Sequence, residues 1–211
     1  MNKFERLFHA MTRSWVVVLC VALIGLCIGI LDQPITEAVH AMQPKLPLSS
    51  LRLLTFLGWW PLYVIGLAAL ALSCQMMFKN KPLEKRVWFL WLCVVVPNCI
   101  CGVLKVIFGR ARPDMWFSQH IYGFYGPHKS SLYWSFPSGH TTTIMGFMFG
   151  LCVLFPRYCV AFIVFGLMVV GSRILLTQHY VGDVLFASYL ALIEVGLLYH
   201  WTQSRLLGRM N

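Results

Sequence analysis

Charged side chains are scarce in this chain of 211 residues. Asp, Glu, Lys and Arg together make up 11% of the chain, whereas soluble domains carry about a quarter. Acidic residues are rarer than basic ones, with 7 Asp and Glu against 17 Lys and Arg. Hydrophobic residues make up 59% of the sequence. The alternating pattern of membrane β-strands is also absent from the sequence. These shortages exclude an ordinary soluble domain and favour helices in a lipid bilayer, because a helix satisfies its backbone polar groups within its own segment.

No cysteine pattern indicates a metal site or a disulfide. All eight cysteines lie inside apolar stretches, where cysteine usually behaves as a small buried hydrophobic residue. None belongs to a loop cluster with metal-ligand spacing, and no nucleic-acid-binding motif accompanies the net charge of +10. We therefore expect no metal, no cofactor and no nucleic-acid partner, and we attribute part of the positive charge to membrane topology.

Six apolar runs are long enough, or nearly so, to cross a hydrocarbon core of about 30 Å. We expect an all-α integral membrane protein with a single domain over residues 1–211 and spans at about 15–31, 51–78, 88–108, 139–156, 158–177 and 183–202. The fourth run is short for a full span and begins at the sequence Pro-Ser-Gly-His. The segment from Pro34 to Met42 has apolar residues at helical spacing, which fits a short interfacial helix or, equally well, a surface loop.

The basic residues predict an orientation, because Lys and Arg favour cytoplasmic loops. With six spans, ten of the 17 lie on the side of the termini, among them Lys3, Arg13 and, near the C-terminus, Arg205 and Arg209. No small-residue cleavage site follows the first run, which is therefore interpreted as a retained helix. We expect a multi-pass protein of the bacterial inner membrane with cytoplasmic termini.

Three polar clusters interrupt the apolar runs, and six spans would place all three on the face opposite the termini, which is periplasmic in a bacterium. Cations at a membrane interface are costly unless they are paired or functional, and one carboxylate, Asp183, has an obvious place among them. Arg forks match phosphate oxygens, and the free N–H groups at a helix start favour an anion. The clusters predict a phosphate-binding pocket built from Lys105, Arg112, Ser138, Gly139 and Arg173.

Two histidines add catalytic groups to this pocket. His179 and Asp183 are four residues apart, which places them on one face of a helix. The carboxylate would fix the imidazole tautomer and leave the other ring nitrogen free to attack phosphorus. His140 lies beside the predicted phosphate cradle, where it could protonate a leaving oxygen. The residues thus predict metal-independent chemistry through a phosphohistidine, with His179 as nucleophile and His140 as acid and then base.

These residues form three motifs: Lys-x6-Arg-Pro in KVIFGRARP, Pro-Ser-Gly-His in PSGH, and Ser-Arg-x5-His-x3-Asp in SRILLTQHYVGD. In this order they resemble the three-part signature of the type 2 phosphatidic acid phosphatase superfamily. The resemblance implies an integral membrane lipid phosphatase that needs no metal and whose partners are the bilayer and a lipid phosphate. It assigns phosphate binding to Lys105, Arg112, Ser138, Gly139 and Arg173, and catalysis to His179, His140 and Asp183.

The stretch RARPDMWFSQHIYGFYG further resembles the bacterial lipid A 1-phosphatases of that superfamily, so lipid A 1-phosphate is the expected substrate. Phosphatidylglycerol phosphate, undecaprenyl pyrophosphate and phosphatidic acid are alternative substrates. A lipid phosphotransferase would share every motif, because its acceptor merely replaces water. A non-enzymatic lipid binder or transporter is the alternative outside the enzymes.

Other polar and aromatic segments also carry predictions. The long aromatic loop from Asp114 to Phe136 is expected to form a lid or a lipid-facing wall. Arg52, Arg110 and Lys129 are interpreted as interfacial anchors whose charged ends reach water. Glu194 lies deep in the last run and is expected to be a protonated or hydrogen-bonded packing residue.

Overall fold

The computed structural model describes residues 2–203, and no β-strand occurs in that part of the chain. One isolated bridge pairs Arg110 with Phe124. Five helical segments are long and apolar enough to cross a membrane: Ser14–Lys45, Leu48–Met76, Lys81–Phe108, Pro156–Leu175 and Val181–Thr202. A shorter apolar helix, Gly139–Leu154, occupies the place of the fourth predicted span. The all-α membrane class is confirmed, while Arg205 and Arg209 of the orientation prediction lie outside the described residues.

The α-helices are numbered in chain order: α1 (Lys3–Met11), α2 (Ser14–Leu26), α3 (Asp32–Met42), α4 (Leu48–Phe56), α5 (Trp60–Met76), α6 (Lys81–Phe108), α7 (Pro113–Gln119), α8 (Gly139–Leu154), α9 (Cys159–Leu175) and α10 (Val181–Thr202). A π-helical segment, Cys27–Leu31, connects α2 to α3. Short 3₁₀ turns occur at Gln43–Lys45, Ser131–Tyr133 and Pro156–Tyr158.

Two of the predicted spans differ from the helices observed. The first helical segment continues through the π-helical turn into α3, so the residues after Pro34 are helical and do not form a surface loop. The second predicted span is broken, because α4 ends at Phe56 and α5 begins at Trp60. Pro61 occupies the first turn of α5, a position that proline tolerates because the first N–H groups of a helix lack partners.

Helix α1 was not predicted, although its start carries a sequence signal. Asn2 accepts a hydrogen bond from the Glu5 backbone N–H (2.8 Å), and the Glu5 carboxylate accepts one from the Asn2 N–H (2.7 Å). This reciprocal pair is the capping box that an Asn-x-x-Glu spacing can form. Phe4 and Phe8 are buried, and a Cβ on Gly196 of α10 would collide with the Phe8 ring. Helix α1 is therefore packed tightly onto the bundle.

Helix α8 lies at the centre of the bundle and packs against α6, α9 and α10. Gly146 faces α6, and a Cβ there would collide with the Cys93 carbonyl oxygen. Small residues allow this close approach of two helix backbones in membrane proteins. The packing brings the start of α8 beside the end of α6, with a Cβ on Gly139 only 3.5 Å from the Lys105 Cε.

Candidate active site

The structure brings the eight predicted site residues together at one end of the bundle. They lie at helix ends, where polar side chains interrupt the apolar runs: Lys105 in the last turn of α6, Arg112 at the N-cap of α7, Ser138, Gly139 and His140 at the start of α8, Arg173 in the last turn of α9, His179 before α10, and Asp183 in the first turn of α10. The charges of Lys105, Arg112 and Arg173 act on both His140 and His179.

His179 is almost fully buried, with 2% of its surface exposed. Its Nδ1 lies 3.4 Å from the Asp183 Oδ2, so Nε2 is the ring nitrogen left for another group. Burial lowers the pKa of His179 well below its ordinary value, and the cations Arg112, Lys105 and Arg173 lower it further, against the opposing effect of Asp183. The imidazole is therefore neutral at neutral pH, which is the nucleophilic form.

Lys105 and Arg112 are both held by backbone carbonyl groups of the loop before α8. The Lys105 Nζ donates hydrogen bonds to the carbonyl oxygens of Trp134 (2.8 Å) and Pro137 (2.6 Å). The Arg112 Nε donates to the Ser131 carbonyl oxygen at 3.0 Å. Each contact uses part of the side chain's donor capacity, since ammonium has three N–H donors and guanidinium five. Donors remain for an anion at the start of α8.

Among the eight predicted site residues, two buried side-chain atoms, Ser138 Oγ and Arg173 Nε, have no hydrogen-bond partner within residues 2–203. The Arg173 guanidinium is fixed from its other end, where Nη1 donates to the Thr55 Oγ1 at 2.9 Å. Buried polar groups are nearly always paired, and an orphan at a native site needs an explanation. An anion beside the N-terminus of α8 would accept from both atoms.

The interpretation of Arg110 as an interfacial anchor is wrong. Its side chain is fully buried, and it forms ion pairs with Asp183 (Nη1 to Oδ1, 2.6 Å) and with Asp32 (Nη2 to Oδ2, 2.7 Å). Burial lowers the pKa of Arg110, but the charges of Asp183 and Asp32 outweigh this effect and raise the pKa above its ordinary value. Asp32 was also missed, although it lies within the helical segment Ser14–Lys45, and a carboxylate in a membrane-spanning segment is a signal of function by default.

The aromatic loop contains the short helix α7 and packs against α3. The Trp116 Nε1 donates to the Glu37 Oε1 at 2.9 Å, and the rings of Phe117 and His40 stack with centroids 4.0 Å apart. Whether the loop acts as a lid or a lipid-facing wall stays a prediction. Glu194 is buried with no hydrogen bond to either carboxylate oxygen among the described residues, so its role as a protonated packing group also stays a prediction.

An apolar cavity of about 410 Å³ opens beside the site, between α5 and α6. Its walls include Trp60, Val64, Trp91 and Gly102, and two predicted site residues, Lys105 and Gly139, also line it. The aromatic loop contributes no residue to this lining. The hydrophobic space that adjoins the cationic pocket is therefore formed by the transmembrane helices.

Within residues 2–203, no group of three or more His, Cys, Asp or Glu side chains is arranged to hold a metal ion. The positive charge of the site comes from Lys105, Arg112 and Arg173. Such fixed cations can stabilise a phosphoryl group directly.

A family model described as the PAP2 superfamily matches residues 86–207, more than half of the chain. The chain belongs to the PAP2 superfamily. All eight predicted site residues fall inside the matched region, whereas Asp32 lies outside it. The resemblance found in the three motifs is thereby confirmed.

Two curated relatives of this PAP2 chain are named lipid A 1-phosphatase, one from Rhizobium johnstonii and one from Rhizobium etli. They are 37% and 36% identical to it over 97 residues, which is 46% of this chain. The aligned part covers 40% and 42% of the relatives' own lengths, so the chain spans well under half of each.

A solved structure supports the PAP2 fold over nearly the whole chain. It is the first transmembrane PAP2 type phosphatidylglycerolphosphate phosphatase from Bacillus subtilis, with a TM-score of 0.52 and 23% sequence identity. The similarity covers 99% of this chain and 95% of that chain.

Proposed function

We propose that this PAP2 chain is a membrane lipid phosphatase that works without a metal ion, through a phosphohistidine on His179. The observation that carries the proposal is the placement of His179. Its Nδ1 faces Asp183 at 3.4 Å, while the charges of Arg112, Lys105 and Arg173 act on the same imidazole. A neutral nucleophile surrounded by fixed cations is suited to attack a phosphate, whose negative charge otherwise repels nucleophiles.

The reaction has two displacements at phosphorus. First, the His179 Nε2 attacks phosphorus, the bond from phosphorus to the lipid oxygen breaks, and His140 gives its proton to that oxygen. Second, a water molecule attacks the phosphohistidine while His140 takes a proton from it, and the phosphorus–nitrogen bond breaks. The bound phosphate offsets the three cations that act on His140, which favours the protonated imidazole needed in the first step.

The favoured substrate is lipid A 1-phosphate, because both curated relatives carry the name lipid A 1-phosphatase. The apolar cavity between α5 and α6 would hold an acyl chain while Lys105, which lines the cavity, contacts the phosphate. Binding energy from parts of a substrate remote from the reacting bond can position that bond. Phosphatidylglycerol phosphate and undecaprenyl pyrophosphate are the alternative substrates.

The proposed topology has six spans, with cytoplasmic termini and the site facing the periplasm. Helix α8 has 16 residues, about 24 Å at 1.5 Å per residue, which is shorter than the hydrocarbon core. Most of its residues are buried against other helices, so its start can lie below the membrane surface in a polar pocket. Helix α3 would lie near the interface on the same side as the site.

Phosphate release from purified protein in detergent tests this function. The panel contains lipid A 1-phosphate, phosphatidylglycerol phosphate, phosphatidic acid and undecaprenyl pyrophosphate, each with EDTA present. Release from lipid A 1-phosphate at the highest kcat/KM is expected, and no release from any member would refute the proposal. A phosphotransferase would instead need an added alcohol acceptor, so the panel is repeated with and without an acceptor.

A further inference from the structure

Arg110 connects the catalytic carboxylate to a part of the chain outside the matched family region. Its guanidinium is fully buried and forms ion pairs with Asp183 at 2.6 Å and Asp32 at 2.7 Å. The rings of Tyr122, Phe124 and Tyr180 lie within 5.3 Å of its central carbon. A buried guanidinium held by two carboxylates and three rings has little freedom to move. We refer to Arg110, Asp32 and Asp183 as the arginine network.

The two oxygens of Asp183 have separate partners. Oδ1 accepts from Arg110, while Oδ2 accepts from the Ser135 hydroxyl at 2.6 Å and the Tyr180 backbone N–H at 3.0 Å. Oδ2 is also the atom that lies 3.4 Å from His179. Arg110 therefore fixes the carboxylate from the side opposite the histidine, and this determines the direction in which Oδ2 faces the imidazole.

Asp32 anchors the other side of Arg110. Its second oxygen accepts from the Gly182 backbone N–H at 2.8 Å, at the start of α10. A Cβ on Gly182 would lie 2.8 Å from the Asp32 Oδ2 and 2.7 Å from the Ile28 Cγ1, so only glycine allows this approach. Asp32 thus contacts both Arg110 and the turn that carries Asp183.

The charges of the network have a chemical consequence at His179. One arginine and two aspartates leave one net negative charge beside the imidazole. Without Asp32, the arginine would neutralise Asp183. Besides Asp183, the charged groups that act on His179 are Lys105 from α6, Arg112 from the start of α7 and Arg173 from α9. Two further titratable side chains belong to the same region: His140 at the start of α8, on which the same three cations act, and Tyr180, the next residue in the chain. Lys105, Arg112 and Arg173 are cations, and His140 can become one. Their positive charges disfavour a proton on His179, and the net negative charge of the arginine network opposes this effect.

We propose that Arg110 and Asp32 are positioning residues for the phosphohistidine reaction: Arg110 orients Asp183 toward His179, and Asp32 preserves the negative charge that Asp183 presents to the imidazole. The inference rests on the proposed function of His179 as the nucleophile. It assigns a role in the reaction to a carboxylate on the N-terminal side of the family match.

The test is the acidic limb of the pH profile of kcat/KM, which reports the protonation of His179 in the free enzyme. Arg110→Gln removes a positive charge and should move the limb to higher pH by about 0.5–1 unit. Asp32→Asn removes a negative charge and should move it to lower pH. The double variant keeps one net negative charge and should return the limb toward that of the wild type. One substrate is used throughout, so its own titration is common to all profiles.

Control variants separate this role from a general effect of charge or stability. Arg52→Gln and Glu84→Gln remove one charge of each sign from residues that do not contact the network, and neither should shift the limb. Arg110→Lys keeps the positive charge but loses the guanidinium that bonds Asp32 and Asp183 through two different nitrogens. The value of kcat should therefore fall at least tenfold, while KM and the position of the acidic limb stay unchanged. Size-exclusion elution and thermal unfolding in detergent identify any variant that does not fold.

The same titration can be measured without a lipid substrate. Diethyl pyrocarbonate modifies neutral imidazole, and mass spectrometry of the peptide that carries His179 separates this residue from His140. The midpoint of modification should shift in opposite directions in Arg110→Gln and Asp32→Asn. Shifts in the same direction, or no shift in folded variants, would overturn the inference. Failure of the proposed function would appear differently, as wild-type protein that titrates at His179 but releases no phosphate.

Discussion

Gly58 lies directly against His140: a Cβ on Gly58 would come within 2.8 Å of the His140 Cβ and 3.1 Å of its carbonyl oxygen. Gly58 is in the break between α4 and α5. The break and the histidine are therefore parts of one arrangement, because an unbroken helix with an ordinary side chain would occupy the place of the imidazole.

Gly58→Ala should lower kcat about tenfold or more, because the displaced His140 can no longer deliver its proton along the required line, and a misplacement of about 1 Å can cost 100-fold. The measurement is steady-state phosphate release. Gly66→Ala on α5 is the matched control, since a Cβ at Gly66 has nothing within 4 Å. Equal activity in both variants would contradict a positioning effect of Gly58.

His179→Ala should abolish turnover, with a loss of about 1,000-fold or more, because the covalent step is removed. Wild-type protein should acquire an acid-labile label on His179 within the first turnover of a substrate with labelled phosphate. Rapid quenching followed by peptide mass spectrometry measures this label. Full activity in the His179→Ala variant would rule out a phosphohistidine on His179 as the intermediate.

His140→Gln should separate the two displacements. With p-nitrophenyl phosphate, whose leaving group needs no proton, formation of the phosphohistidine should continue while its hydrolysis slows about 100-fold or more, since a general base contributes roughly that much. Labelled enzyme should then accumulate at His179. If the label fails to accumulate in folded variant protein, His140 does not act as the base of the second step.

Phosphate release should survive EDTA and should be inhibited by vanadate, which can adopt the five-coordinate geometry of phosphorus during attack by His179. Activity before and after dialysis against EDTA, with Mg²⁺ and Zn²⁺ added back, measures the first point. A strict requirement for either ion would contradict a site whose charge comes from Lys105, Arg112 and Arg173.

Gly102→Phe should fill the cavity between α5 and α6, because Gly102 lines it and a Cβ there has nothing within 4 Å. The value of kcat/KM for a long-chain lipid phosphate should fall about tenfold, as expected when a few methylene groups lose their binding site. A short-chain soluble phosphate should be hydrolysed as before. An equal loss for both substrates would show that the cavity does not hold the acyl chain.

Impermeant thiol reagents should distinguish the two faces of the membrane. In protein stripped of native cysteines, Cys99 included because it is exposed, a cysteine placed at Ser131 should react in intact spheroplasts and one at Asn80 should not. Both positions are exposed in the structure. The reverse pattern would place the site in the cytoplasm and exclude substrates found only in the periplasmic leaflet.

The sequence predicts most helices correctly because long apolar runs have few other structures available in a bilayer. The last three predicted spans, 139–156, 158–177 and 183–202, agree closely with Gly139–Leu154, Cys159–Leu175 and Val181–Thr202. The break at Gly58 could not be found in this way. It interrupts a continuous apolar run, and hydropathy alone does not report such a break, although Gly58 and Pro61 are local signals for one. The contact of Gly58 with His140, which is 82 residues later in the chain, cannot be read from periodicity at all.

The eight candidate site residues could be named from the sequence because three motifs group cations, histidines and one carboxylate that would be costly in a membrane protein if each stood alone, and their role in catalysis stays a prediction. Arg110 was missed because a single arginine near a helix end usually reaches water, and its burial depends on Asp32, 78 residues earlier. Asp32 in turn directly follows the apolar run 15–31, which was interpreted only as a retained membrane helix. A search of the sequence for oppositely charged residues near the ends of apolar runs would have identified Arg110 and Asp32 as candidates for a buried ion pair.

The hydrogen bond from the Gly182 backbone N–H to the Asp32 carboxylate also limits which segments can be exchanged between PAP2 proteins. The three motifs span residues 105 to 183, yet the Asp32 carboxylate that contacts Arg110 and Gly182 within them comes from α3, near the N-terminus. A chimera that receives those motifs without an acidic residue at position 32 would contain a buried Arg110 with one of its two carboxylate partners missing. Among relatives, Arg110 and Asp32 are therefore expected to be gained and lost together, as a covarying pair.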